Sequence, residues 1–276
     1  MPHLPDDDAI YAVLHALSLD DKLHEQFVLK GGNALRLAYK SPRSSVDVDF
    51  SSTEAFPDQP HEKTQVLLED IEERLNRALE DIAPMYDFAA LIVQSTHIHP
   101  GNHDPREFPA LEIKVGYSEL EDRDPPFSDV VKLEITLNEV VCADEYVSVD
   151  SGSAGNIDLH VSGLDDIIAE KLRSLLQQVE RKRNRPGDVY DIWFFTTRVG
   201  AILSEENIAM YLQKKSHDRL GVDKVTRDMF TNPEVRERAS VGYEDIASRL
   251  PGGETLPPFE AAFDQVIQFV EALDLP

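Results

Sequence analysis

Two aspartates one residue apart, Asp47 and Asp49, end the stretch FVLKGGNALRLAYKSPRSSVDVDF at residues 27–50, with a glycine pair, Gly31 and Gly32, upstream of them. In an extended chain successive side chains alternate faces, so Val46, Val48 and Phe50 can enter a core while Ser45, Asp47 and Asp49 line the other side. Alternate residues of a strand stand about 6.5–7 Å apart, so the two carboxylates can converge on divalent cations about 4 Å from one another. Hard oxygen donors suit Mg²⁺, which keeps waters and substrate phosphates in its shell and so needs few protein ligands. Gly31 and Gly32 can take positive φ and place no Cβ in the way. A phosphate can then approach the amides of a helix starting near Asn33, with Asn33 available as its cap. A glycine pair alone marks a turn, and a D-x-D strand alone reads as the polar face of an edge strand. Within one helix-to-strand unit, the two together favour phosphate and metal handling.

These residues need a scaffold. Residues 6–18 carry Ile10, Val13, Leu14 and Leu17 at helical spacing behind an acidic start, and Leu68, Ile71, Leu75, Leu79 and Ile82 form the stripe of a longer helix. From about residue 86 the period becomes two. Leu111, Ile113, Val115 and Tyr117 alternate with polar residues and glycine, as do Val131, Leu133, Ile135 and Leu137 with polar ones, and the loop SELEDRDPPFSD between the runs predicts an antiparallel pair. A helix is expected from near Asp165, another from Pro186 in RPGDVYDIWFF, and the chain beyond about residue 200 reads as helical. The predicted fold is α+β: a small mixed or antiparallel sheet flanked by helices in residues 1–160, then a helical part, residues 161–276, that completes the active site.

At 276 residues with 41% hydrophobic residues the chain can bury a substantial core, and the lack of a long apolar run or basic leader points to a cytoplasmic protein with no membrane partner. A single cysteine, Cys142, excludes an intrachain disulfide and is expected to be buried. The formal charge of -25 opposes long-range attraction of nucleic acid. Against that background the run Arg181-Lys182-Arg183-Asn184-Arg185 stands out, although taken alone it reads better as a solvated loop between helices. His97, His99 and His103 carry no companion helix motif for zinc, and Trp193, Phe194 and Phe195 read as core. Lys171 borders the apolar stripe of Ile168, Leu172, Leu175 and Val179, so its stem can pack while its ammonium reaches a cleft, the bland alternative being a snorkelling surface lysine.

The segments KGGNALRLAY and RSSVDVDF, with DDIIAEKLRSLL and RPGDVYDIWFF further on, resemble the motifs of the AbiEii/AbiGii-type nucleotidyltransferase toxins, within the DNA polymerase β-like nucleotidyltransferase superfamily; the resemblance spans roughly residues 27–195. It departs at Asn33, where the family commonly has threonine or serine, and at Gly187, where it commonly has arginine. The resemblance implies a nucleotidyltransferase sheet and Mg²⁺-dependent transfer of a nucleoside monophosphate from an NTP to an acceptor. The expected acceptor is RNA such as tRNA, and the expected protein partner is a cognate antitoxin. Carried over by position, Asp47 and Asp49 are metal ligands, with Gly31, Gly32, Asn33 and Ser45 at the nucleotide. Lys171 becomes the cation on the triphosphate, Arg173 and the basic run phosphate contacts, and Asp188 the motif aspartate. A third metal carboxylate is usual in the superfamily; the polar face of VKLEIT supplies Glu134, with Glu112 the runner-up. Two alternatives stay open: a small-molecule or protein hydroxyl as acceptor, and a non-catalytic nucleotide-binding module that engages a basic partner.

Overall fold

The computed structural model of the protein describes residues 7–54, 62–99, 109–120, 124–197, 203–220 and 224–276. They divide into two compact units, the first from within 1–38, 45–103 and 108–162, the second from 39–44 and 163–276.

In the first unit, α1 (Asp7–Leu19) opens on the acidic turn expected from its dipole and buries Ile10, Val13, Leu14 and Leu17. The short α2 (Asp21–Gln26) is capped by Asp20, whose carboxylate accepts the Leu23 amide at 3.0 Å. It runs directly into β1 (Phe27–Lys30), α3 (Gly31–Leu37) and β2 (Val48–Ser52). The long α4 (Glu62–Ile82) packs on α1 and on β3 (Ala90–His99), with Ile71, Leu75, Leu79 and Ile82 buried as their spacing predicts. β4 (Ala110–Ser118), β5 (Val130–Thr136), β6 (Asp144–Asp150) and β7 (Asn156–Ser162) complete a seven-stranded sheet in the order β3-β4-β5-β2-β1-β7-β6. β4 and β5 are antiparallel as expected, whereas β2 runs parallel to β5 and β1 parallel to β7. One face of the sheet is apolar: Val48, Phe50, Leu111, Ile113, Leu133 and Ile135 are almost fully buried. Each such side chain contributes about 1.5–3 kcal/mol of transfer free energy, which locks the strand register, since a slip of one residue would invert both faces.

In the second unit, α5 (Leu164–Arg181) packs on α7 (Glu205–Leu220) and α8 (Pro233–Ser240), while α6 (Pro186–Thr197) packs on α9 (Phe259–Ala272). Phe194 and Phe195 are core residues, as predicted, and Trp193 is half-buried. α5 ends where Lys182 adopts a left-handed conformation, and the exposed residues 182–185 follow. The buried Gln178 ties this basic loop down: its Oε1 accepts the Arg185 amide at 3.2 Å and its Nε2 donates to the Val235 carbonyl at 2.8 Å. Among the described residues no helix is long and apolar enough to cross a membrane.

Deep inside this unit the Lys215 ammonium lies 2.9 Å from the Asp166 carboxylate, both side chains 1% exposed. Removing one member strands a buried charge. Lys215→Met is therefore expected to lower stability by roughly 3–5 kcal/mol in urea unfolding, well beyond the loss from a surface lysine such as Lys224→Met.

Candidate active site

The glycine turn and the acidic strand are built against each other. Gly31 has φ +67°, and a Cβ there would sit 2.7 Å from Asp49 Oδ2. Only glycine tolerates both that backbone conformation and that approach. The expected start of α3 near Asn33 moves two residues earlier: the helix begins at Gly31, with Lys30 in the flanking extended conformation and no side-chain cap. Asn33 is fully buried and serves a different end from capping, because its Nδ2 donates to the Asp47 carbonyl at 2.8 Å and its Oδ1 accepts from Arg36 Nε at 3.4 Å.

The expected strand over Ser45–Phe50 is also shortened. β2 begins only at Val48, so Ser45 and Asp47 lie in the bend that precedes it; Asp47 is exposed and Asp49 half-buried. The Asn33 hydrogen bond therefore fixes the Asp47 backbone in place of a sheet ladder. Ser45 Oγ stands at the outer limit of a hydrogen bond to the same carbonyl, 3.5 Å.

Register then decides which carboxylates are neighbours. Asp49 pairs with Glu134 on β5 and with Lys30 on β1; Glu134 pairs with Glu112 on β4, and Glu112 with His97 on β3. In-register residues of adjacent strands project to one face, so these side chains form a charged row across the sheet. Glu134 stands directly beside Asp49, and Glu112 one strand further away. Glu112 is already engaged by two ammonium groups, Lys132 Nζ at 3.1 Å and Lys114 Nζ at 3.3 Å, and His99 Nε2 lies 3.6 Å from it. Burial favours the neutral acid at Glu112, but hydrogen bonds from Lys132 and Lys114 hold its carboxyl below the ordinary value. On the other side of Asp49 the Lys30 ammonium is ion-paired with Glu139 and donates to Thr136 Oγ1 at 3.2 Å, while Ser51 Oγ donates to Glu139 at 3.0 Å.

Among the described residues no three carboxylate, imidazole or thiolate groups converge into a ready-made ion cage. The geometry is an adjacent carboxylate pair with Asp47 nearby, and its donors are hard oxygens. An ion that retains water and takes phosphate oxygens needs no more than this, so the residues fit Mg²⁺ as an ion completed by its substrate.

The second unit holds a separate charge cluster. The Lys171 ammonium is buried, 2.9 Å from Asp188 Oδ1 and 2.7 Å from Asp191 Oδ2, so it is gripped by two carboxylates. Arg43 makes a bidentate pair with Asp191 at 2.8 and 2.6 Å. Burial alone would raise the Asp191 carboxyl, but Arg43 and Lys171 outweigh it and hold it at about 2. Burial likewise disfavours the Lys171 cation, yet Asp188 and Asp191 push its pKa up. Nothing in the sequence marks Arg43 as belonging here. Its guanidinium packs over Gly187, where a Cβ would lie 3.5 Å from the guanidinium carbon in ordinary van der Waals contact. Arg173 is buried, with Gln177 Oε1 accepting at 3.1 Å and Glu170 at 3.5 Å, so its guanidinium braces α5.

Of the histidines, His97 and His99 stack edge to face with centroids 4.6 Å apart, and His103 lies outside the described residues. Cys142, expected to be buried, is half-buried.

Two outcomes test this construction. Gly31→Ala combines a strained φ with a clash onto Asp49 and is expected to cost about 1–3 kcal/mol in chemical unfolding, against a few tenths for Gly252→Ala, where the added Cβ meets nothing within 4 Å. The Asp191 carboxyl, lowered from its ordinary 3.8 to about 2, contributes stability above the ordinary carboxylate range that is lost as pH falls through the folded value. Unfolding free energy measured from pH 5 to pH 2 should therefore fall by about 2 kcal/mol more in the wild type than in Asp191→Asn, which also starts lower at neutral pH.

The sequence matches the family described as "Nucleotidyl transferase AbiEii toxin, Type IV TA system" over residues 13–265. No curated protein matches the chain at a significant level. Among solved structures, the chain is similar to MenT4, a nucleotidyltransferase toxin from Mycobacterium tuberculosis H37Rv, with a TM-score of 0.57 and 18% identity over 97% of this chain and 83% of that one. It is also similar to JHP933 from Helicobacter pylori, with a TM-score of 0.51 and 16% identity over 98% of this chain and 92% of that one. At such identities the structures testify to the shared fold. With its glycine turn, acidic strand and lysine helix inside a family match that runs almost end to end, the chain belongs to the AbiEii nucleotidyltransferase toxins.

Proposed function

We propose that the protein transfers a nucleoside monophosphate from an NTP to an RNA acceptor such as tRNA, with Mg²⁺ as the metal. Family membership supports the nucleotidyl transfer, a nucleotide substrate and an antitoxin partner. The observation that carries the finer reading is the register that sets Glu134 beside Asp49, with Asp49 seated over Gly31.

Asp47, Asp49 and Glu134 would hold the metal. Glu134 is preferred to Glu112 because the latter's oxygens are engaged by Lys132 and Lys114. Bound there, Mg²⁺ would lower the pKa of the attacking hydroxyl and offset charge on the α-phosphate and departing pyrophosphate. The acceptor hydroxyl gives up its proton to solvent as its oxygen bonds to the α-phosphorus, the bond from that phosphorus to the bridging oxygen breaks, and pyrophosphate leaves with the electron pair. Asn33 fixes the backbone that presents Asp47, and the family resemblance assigns Gly31, Gly32 and Ser45 to the nucleotide. The family resemblance assigns the Lys171 ammonium to the triphosphate; within its own unit Asp188 and Asp191 orient it, and Arg43 keeps Asp191 ionised. The exposed loop at 182–185 offers cations to the acceptor backbone.

The charge of -25 favours a second reading of the acceptor, a small-molecule or protein hydroxyl, because RNA affinity rests on phosphate neutralisation. Incubation with α-labelled NTPs and total tRNA separates the two. Label in RNA that is lost with EDTA and reduced at least 10²-fold by Asp49→Asn or Asp47→Asn is the expected result. Label confined to protein or small products would replace the RNA reading, and full activity of both variants would remove the carboxylates from the chemistry. Lys171→Met is expected to weaken NTP affinity in equilibrium binding as well as turnover.

A further inference from the structure

The nucleotidyltransferase reading leaves Lys132 without a role, although it occupies the centre of the carboxylate row. Its ammonium lies 3.1 Å from Glu112 Oε2 and 3.4 Å from Glu134 Oε2, and it is about one-third exposed. It comes from the same strand and face as Glu134, two residues earlier, and pairs in register with Lys114 rather than with an acid. Asp47 acts on it as well, and burial notwithstanding, its three acidic neighbours strengthen its hold on its proton. Glu112 and Glu134, in register on one sheet face, and Asp47 just before β2 would otherwise repel one another. Of the two contacts Lys132 makes, the shorter is to Glu112, the carboxylate farther from Asp49.

We infer that Lys132 is a built-in counter-ion for the metal-free site, and that Glu112 positions it by drawing the ammonium away from Glu134. Lys132 sets how tightly the carboxylates take a divalent cation, and Glu112 acts through Lys132 rather than on the ion. The inference rests on the metal reading above. It leaves the carboxylates partly neutralised without a metal and dependent on substrate phosphates for firm metal binding, in keeping with the absence of a three-ligand cage among the described residues.

Mn²⁺ binding to the full-length protein, followed by electron paramagnetic resonance without nucleotide, tests it. Lys132→Met should tighten Mn²⁺ binding about tenfold, the order expected for removing one nearby unit charge in a half-exposed site. Lys132→Arg should stay within about twofold of wild type, since the charge is kept. Glu112→Gln should weaken binding several-fold, because the released ammonium settles on Glu134, and this effect should vanish in the Lys132→Met background. An unchanged or weaker affinity in Lys132→Met overturns the inference while the metal reading stands. A Glu112→Gln effect that persists in the double variant also overturns it, making Glu112 a ligand in its own right. Loss of Mn²⁺ binding from the wild type itself, or binding unaffected by Asp49→Asn, would remove the metal reading and this inference with it. Thermal unfolding of each variant distinguishes a change of affinity from loss of fold.

Discussion

Like charges held side by side on one face of a sheet are the constraint around which the first unit is organised. Asp49, Glu134 and Glu112 occupy in-register positions on neighbouring strands, where carboxylates repel. The fold accepts this because the opposite face is apolar and almost fully buried, so register cannot slip to relieve the repulsion. The charge is partly offset by ammonium groups: Lys132 between Glu112 and Glu134, Lys114 on Glu112, and Lys30 on Glu139 just beyond Asp49.

Glycine geometry adds a second condition. Asp49 sits where a Cβ on Gly31 would be, so the turn and the acid occupy one volume. Asn33 ties the same turn to the Asp47 backbone. The KGGN segment therefore acts on the acidic strand mechanically, whatever it does for phosphate, and a mutation in the turn would disturb the carboxylates before it touched a substrate.

The second unit handles charge by burial and pairing. Lys171, Asp188, Asp191 and Arg43 form one network, and Lys215, Asp166, Glu170 and Arg173 another. Buried pairs of this kind add little net stability over apolar packing but become expensive once one partner is lost. That favours a role in fixing orientation and protonation, which for Asp191 means a carboxyl held well below its ordinary range. A guanidinium from residue 43 has to reach residue 191 to complete the first network.

Periodicity alone located α1, the buried face of α4, the antiparallel pair β4 and β5, and the starts of α5 and α6, because burial of one stripe or one face leaves a local pattern. The closeness of the glycine pair and the two aspartates was legible in part, since they lie in one short segment, and the structure sets Gly31 directly against Asp49. β1, β6 and β7 were not: β1 is four uniformly buried residues with no alternation, and β6 is mostly exposed. Parallel pairing of β2 with β5 joins segments about 80 residues apart, so the adjacency of Asp49 and Glu134 has no local signature. For the same reason Asn33 turned out to be a strand anchor instead of a cap, and Arg43 and Lys132 acquired partners that no spacing rule announces. The sequence determined which chemical groups were available and on which side of their own element they lie; long-range register and buried charge pairing, which depend on contacts between distant segments, decided which of those groups meet.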